Sequence, residues 1–191
     1  MAEQLISFGI WRSLHEPLLP DPAWFIDEQW SPMEKQQVLA YLGQGRRLNY
    51  RMGFSWCRFR CGIDEGIIMG TCDLTDGAYC WPEGLTHYVE NHQVRVPHEI
   101  VNHILAQFNF PFINAKRVSE TTSIDTTWWQ QQRGWNYESN SFLSGHDQEE
   151  KDYLRRFDRK QIEFNDTTDM ALEAVAAREK MIQSLQAKFA T

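Results

Sequence analysis

The chain lacks any apolar run of the length needed to cross a bilayer, which is about 18 residues, although 42% of its 191 residues are hydrophobic. Its start, MAEQLISFGIWRSLHEP, has neither a basic n-region nor a long apolar segment, so it does not read as a signal peptide. We therefore predict a cytoplasmic protein with no membrane partner. The four cysteines are then expected to be thiols or ligands, not disulfides.

Signatures of nucleotide binding are also missing. No Walker loop and no dinucleotide fingerprint occurs, and the GQGRR stretch at residues 43–47 has too few glycines. That stretch also follows a predicted helix, whereas a phosphate-binding loop follows a strand. The sequence therefore gives no indication of a nucleotide cofactor, and no other cofactor is predicted.

Basic side chains are scarce in the middle of the chain. Residues 64–113 carry seven acidic side chains and one basic side chain, and the whole chain has a net charge of −7. Such a segment repels phosphate backbones, which argues against nucleic acid as a partner. It would attract a basic protein partner and speed the encounter. An ordinary solvated surface explains the same charges. The acids are Asp64, Glu65, Asp73, Asp76, Glu83, Glu90 and Glu99.

Local patterns predict short strands after a well-marked helix. Proline and tryptophan crowd the first 30 residues, which favours an irregular arm packed by its aromatic side chains. Ser31 and Pro32 then mark a helix start, and Gly43 or Gly45 marks its end. Three segments rich in strand formers follow, separated by turn residues that include Asp76 and Gly77. They cover residues 50–60, 66–75 and 77–81.

Proline marks the start of two further predicted helices, at Pro82 and Pro97. Towards the C-terminus, residues 147–164 and 168–190 read as two more helices. The last one has an apolar seam that needs a partner surface, either its own domain or a second copy. The seam consists of Ala171, Val175, Ile182, Leu185 and Phe189, and Arg178 interrupts it.

These elements predict a single α+β domain. A small antiparallel sheet from about residues 50–81 is flanked by helices. Residues 1–146 form the core with its irregular N-terminal arm, and residues 147–191 form a helical extension. The extension packs on the core or joins two copies into a homodimer.

The cysteines and histidines are possible metal ligands, and their spacing indicates which of them could bind one ion. Four thiolates at Cys57, Cys61, Cys72 and Cys80 could hold zinc, but buried small hydrophobic residues in a reducing compartment fit equally well. His87 and His92 are five residues apart, as are His98 and His103, which places each pair about 140° apart around a regular helix. These histidines are therefore predicted to lie on the surface, and no metal ligand is predicted.

Enzyme chemistry is the alternative interpretation. Cys57 with His87 and Asp76 could form a nucleophile, base and orienting acid. Asp73, Asp76 and Glu83 could instead supply a pair of carboxylates. Asp76 is explained as well by its turn, and Glu83 by a helix start that favours acids.

Tryptophans gather in the least regular part of the chain, around a glutamine-rich segment. Trp128 and Trp129 stand side by side, and Trp135 follows. Tryptophan is enriched where partners bind because it buries a large area. It is also an ordinary core residue, so the sequence leaves both roles open.

Two stretches, SWCRFRCGI and MGTCDLTDGAYCWPEGLTHYVENHQVRVP, resemble a set of small uncharacterised bacterial cytosolic proteins. Their shared pattern is CRxxCG, LTDG, WPEGLAHYV and His-x-Val-x-Leu-Pro. Thr86 stands where alanine is usual and Val96 where leucine is usual, and Cys72 and Cys80 lie outside the pattern. The resemblance covers about 40 residues and implies relatedness without any activity.

The predicted function is a bacterial protein-binding module. Its most concrete form is an immunity protein that neutralises a cognate toxin through an acidic surface. The predicted binding residues are Asp64, Glu65, Asp73, Asp76, Glu83, Glu90, Trp128 and Trp129. The alternative is a small hydrolase-like enzyme with a pocket near the sheet, formed by Cys57, Asp73, Asp76, Glu83 and His87.

Overall fold

A five-stranded mixed sheet organises the chain. The computed structural model describes residues 4–13, 16–50, 57–59, 61–62, 68–107, 122–137 and 172–189. The strands run in the order β2-β3-β4-β1-β5, and helices pack against the sheet, which confirms the α+β class. The strands are β1 (Gln4–Ser7), β2 (Arg46–Tyr50), β3 (Cys72–Thr75), β4 (Tyr79–Pro82) and β5 (Ser123–Asp125).

The predicted antiparallel sheet forms one part of a larger sheet. β3 pairs antiparallel with β2 and with β4, and the β3–β4 hairpin turns at Asp76 and Gly77. β1 and β5 then extend the sheet with parallel pairings, β1 lying between β4 and β5. The expectation of a wholly irregular N-terminal arm is therefore wrong at β1.

The strand predicted over residues 50–60 is not continuous. β2 ends at Tyr50, and Arg58 and Phe59 lie in a turn. Residues 51–56 and residue 60 lie outside the described part of the chain.

Helices occupy most of the predicted places. The element α1 (Pro32–Leu42) begins and ends as the sequence predicts, although the Ser31 side chain makes no capping hydrogen bond. Pro82 does not begin a helix, because it is paired with Asp73 in the sheet, and the next helix starts at Leu85. The remaining helices are α2 (Leu85–His92), α3 (His98–Gln107), α4 (Thr127–Gln130) and α5 (Leu172–Phe189).

The core lies between the sheet and the helices and is rich in aromatic side chains. Trp81 and Trp129 are its largest fully buried side chains, and Phe8 and Phe25 pack with them. Trp129 is 0% exposed, so it is not available to a partner. Trp128 is half-buried against the same core. The tryptophan pair is therefore mainly a packing element.

The C-terminal helix buries Ile182 of the predicted seam together with three residues outside that seam. Ala174, Arg178, Met181 and Ile182 are buried, at the spacing of one helical face. Arg178 thus belongs to the stripe that it was expected to interrupt, and Val175 is half-buried. Residue 171, the side chains of residues 185 and 189, and the helix predicted over residues 147–164 lie outside the described part of the chain.

The helices were compared with the length and apolarity that a membrane span requires. Within the described ranges, no helix is both long enough and apolar enough to span a bilayer.

Candidate metal centre

Two cysteines and two histidines meet where the turn at residues 57–62 lies against α2. Cys57 and Cys61 come from the turn, and His87 and His92 come from α2. The four sulfur and nitrogen atoms all lie within 4.8 Å of one another. Of the residues the structure describes, this is the single group of cysteine, histidine or acidic side chains with metal-site spacing.

Three of the six separations among the donor atoms lie near the edges of a tetrahedron around zinc. Cys57 Sγ lies 3.2 Å from His92 Nε2, and Cys61 Sγ lies 3.4 Å from His87 Nε2. The two Nε2 atoms are 3.2 Å apart. With Zn–N near 2.0–2.1 Å and Zn–S near 2.3 Å, tetrahedral geometry requires about 3.3 Å between nitrogens and about 3.6 Å between nitrogen and sulfur. The other separations are at most 4.8 Å, so the four donors are close enough to share one ion.

The prediction that His87 and His92 point away from each other is wrong. The 140° separation describes the backbone of a regular helix, but imidazole rings extend far enough to reach a common point beside it. His92 is also the last residue of α2, and Gln93 adopts a left-handed conformation with φ 55°. Zinc sites accept histidine spacings of this kind, as in H-x3–5-H, paired with C-x2–4-C.

Contacts around the four side chains hold the turn in place. The Phe59 ring stacks on the His92 ring with centroids 4.3 Å apart. The backbone N–H of Arg58 donates to the Tyr88 hydroxyl at 2.8 Å. The Asn91 amide lies 3.2 Å from His87 Nδ1, the kind of outer contact that orients a metal-binding imidazole.

The electrostatics of Cys57 and His92 favour their neutral forms and do not suit a free nucleophile at Cys57. Burial raises the pKa of Cys57 to about 11, with a further contribution from neighbouring Cys61. Burial and the nearby His87 lower the pKa of His92, which favours the neutral ring that binds metals. A thiolate at Cys57 therefore needs a positive ion beside it, and metal binding would displace the thiol proton.

The acids assigned to a binding surface or to catalysis are dispersed through the structure. Asp73 is 5% exposed. Glu83 Oε2 accepts hydrogen bonds from Thr71 N and from Cys72 Sγ, both at 3.2 Å. Glu90 is exposed. Residues 64 and 65 lie outside the described part of the chain. The expectation that these acids face outward is therefore wrong for Asp73.

Asp76 forms a second polar cluster at the β3–β4 turn. Its Oδ2 accepts from the Tyr41 hydroxyl at 2.6 Å and from His103 Nε2 at 2.7 Å. Its Oδ1 accepts from the backbone N–H groups of Ala78 and Tyr79. Burial opposes the charge on Asp76, but these hydrogen bonds outweigh it and lower the pKa. Asp76 thus joins the hairpin to α1 and α3.

The Asp76 cluster is expected to make a pH-dependent contribution to the free energy of unfolding. Because the pKa of Asp76 is lower in the folded chain than its ordinary 3.8, the unfolded chain binds the proton first as the pH falls. The contribution is complete above pH 3.8 and is lost as the pH falls through the folded value. We expect Asp76→Asn to cost about 2 kcal/mol at pH 7 and to flatten the acid limb of stability against pH.

Urea unfolding between pH 7 and pH 3 measures this effect. Glu90→Gln, at an exposed position, is the control and should keep the wild-type slope. An acid limb that is equally steep in Asp76→Asn and wild type would contradict the assignment.

The five candidate catalytic residues do not converge on one cavity. Cys57 and His87 belong to the metal cluster, whereas Asp76 binds His103 and Glu83 binds Cys72. A cavity of about 150 Å³ lies beside the sheet, and its described wall includes Asp73 but none of the other four. The triad drawn from Cys57, His87 and Asp76 therefore does not form.

Comparisons with known proteins give no assignment. No family model, curated protein or solved structure matches the chain. The sequence signal for the site is the spacing of its donors. Cys57 and Cys61 are separated by three residues, and His87 and His92 are separated by four. Both spacings, C-x3-C for the cysteines and H-x4-H for the histidines, fall within the range found in zinc sites.

Proposed function

We propose that this protein binds one zinc ion through Cys57, Cys61, His87 and His92, and that the ion holds the fold together. The observation that carries the proposal is the meeting of two sulfur and two nitrogen donors within 4.8 Å of one another, with three of their separations near the edges of a zinc tetrahedron. The two cysteines replace the four-cysteine set considered from sequence, since Cys72 donates to Glu83 instead.

Zinc is the metal that this donor set favours. Thiolate and imidazole ligands in a tetrahedron are typical of Zn²⁺, whereas Ca²⁺ and Mg²⁺ require oxygen ligands. Two thiolates also neutralise the charge of the ion, which lowers the cost of burying it beside Cys57 and His87, which are 0% and 2% exposed.

The role of the ion follows from its four protein ligands. Catalytic zinc sites keep one position for water or substrate, while structural sites are closed. Here the chain offers four side-chain donors, enough to fill a tetrahedral site without water. The ion would fasten the turn containing Cys57 and Cys61 onto α2, and so join segments that are distant in sequence.

Native mass spectrometry of protein purified without chelator tests this proposal. We expect one zinc ion per chain, and we expect His92→Ala to remove it because a ligand is lost. His98→Ala is the matched control, since His98 is exposed on α3 and lies outside the cluster. A metal-free wild-type protein, or zinc retained equally by both variants, would refute the metal centre.

Protein binding, with immunity to a cognate toxin as its most concrete form, stays a prediction about the remaining surface. The exposed carboxylates of Glu90 and Glu99 support it, because they are available to a basic partner. Affinity capture from a bacterial host, with Glu90→Lys/Glu99→Lys as the comparison bait, tests it. A basic protein retained by wild type and lost from the double variant is the expected result, and equal capture by both would contradict it.

A further inference from the structure

The two sulfur ligands differ in their access to solvent. Cys57 is buried at 0% exposure, whereas Cys61 is exposed. Beside Cys61, the next residue Gly62 has free space on the side where a Cβ would lie, since no atom of the described residues comes within 4 Å of that position. A small solute can therefore reach the Cys61 sulfur, while the turn and α2 shield the Cys57 sulfur.

We propose that Cys61 is a peroxide-reactive modification site whose oxidation to a disulfide with Cys57 releases the metal ion. This inference rests on the proposed zinc site. Susceptibility to oxidation follows thiolate character and exposure. Metal coordination supplies the thiolate, and the open side of the turn supplies the exposure.

The chemistry balances with hydrogen peroxide as the two-electron oxidant. The Cys61 thiolate attacks one peroxide oxygen, the S–O bond forms, the O–O bond breaks, and hydroxide leaves. The Cys57 thiolate then attacks the Cys61 sulfenic acid, the S–S bond forms, and the S–O bond breaks with loss of a second hydroxide. Each sulfur gives up one electron, and the peroxide takes up two.

Proximity makes Cys57 the resolving partner. The donor atoms of the cluster lie within 4.8 Å of one another, so the second step needs only a small movement of the turn. Once both sulfurs are consumed, His87 and His92 remain as two ligands, which are too few to hold zinc in a structural site. A thiol reductant reverses the disulfide and restores the four-ligand set.

The other two cysteines provide internal controls. Cys72 and Cys80 are 4% and 2% exposed, and Cys72 donates its thiol proton to Glu83. Neither sulfur is a member of the metal cluster. Both should stay reduced while Cys61 reacts.

Treatment of the full zinc-loaded chain with hydrogen peroxide tests the inference. Zinc content is measured first, and release is then followed with pyridylazoresorcinol absorbance while intact mass is recorded. We expect one zinc released per chain, together with a mass loss of about 2 Da for a disulfide, which peptide mapping assigns to Cys57 and Cys61. Cys72→Ala and Cys80→Ala should behave like wild type, and dithiothreitol with added zinc should restore the starting mass.

The outcomes separate the two proposals. A chain that holds no zinc before treatment refutes the metal centre and this inference with it. Zinc that is present and survives peroxide refutes the inference alone, as does a first oxidation mapped to Cys72 or Cys80.

Discussion

Chelation of zinc from the purified chain is expected to lower the midpoint of thermal unfolding by roughly 10 °C. An ion that binds only the folded chain stabilises it by about 4 kcal/mol when free zinc is about 1,000 times its Kd. In a chain of this size each 1 kcal/mol shifts the midpoint by about 2–4 °C. Calorimetry or circular dichroism with and without a strong chelator measures the shift.

The matched variants are Cys57→Ala and Cys80→Ala, since both residues are buried cysteines but only Cys57 is a metal ligand candidate. We expect Cys57→Ala to unfold at the same temperature with and without chelator, because its site no longer holds the ion. Cys80→Ala should keep the full chelator-dependent shift. A shift of the same size in both variants would mean that the chelator acts elsewhere.

Trp129→Ala is expected to destabilise the chain by about 3–5 kcal/mol. The side chain is 0% exposed, and its ring stacks on Phe25 with centroids 5.1 Å apart. Its Nε1 also donates to the carbonyl of Ile10, so truncation leaves a cavity and removes the hydrogen-bond donor of a partly buried carbonyl.

Trp128→Ala is the comparison, because Trp128 is adjacent in sequence and half-buried. We expect Trp128→Ala to lower the free energy of unfolding, measured with urea at pH 7, clearly less than Trp129→Ala does. If the two substitutions lower the free energy of unfolding equally, or if Trp129→Ala lowers it only slightly, Trp129 does not lie in the core. The predicted role of the pair in partner binding would then be favoured again.

Elements whose ends are marked by nearby residues could be predicted from the sequence. Elements that form only by pairing with strands distant in the chain could not. The boundaries of α1 follow from Pro32 and Gly43, which act within one turn of the helix. β1 has only four residues, and its pairing with β4 and β5 leaves no trace in the local pattern. At Pro82 the local signal was misleading, because proline suits the start of a helix but here is the last residue of β4.

The site was missed for a geometric reason. Spacing on an ideal helix describes where the side chains of His87 and His92 leave the backbone, not where their nitrogens end. The turn that carries Cys57 and Cys61 was also assigned to a strand, which would separate the two sulfurs from α2. The sequence contains both a C-x3-C pair and an H-x4-H pair, but the predicted zinc set combined cysteines only with cysteines.

The position of β1 within the sheet has a consequence for biosynthesis. β1 leaves the ribosome first, yet both of its neighbours come later, and β5 follows it by about 115 residues. At about 5–20 residues per second, the first strand waits several seconds or more before the sheet can close around it. The nascent chain therefore exposes one unpaired edge of β1 until synthesis passes Asp125, and this is the interval in which a chaperone would have the most to protect.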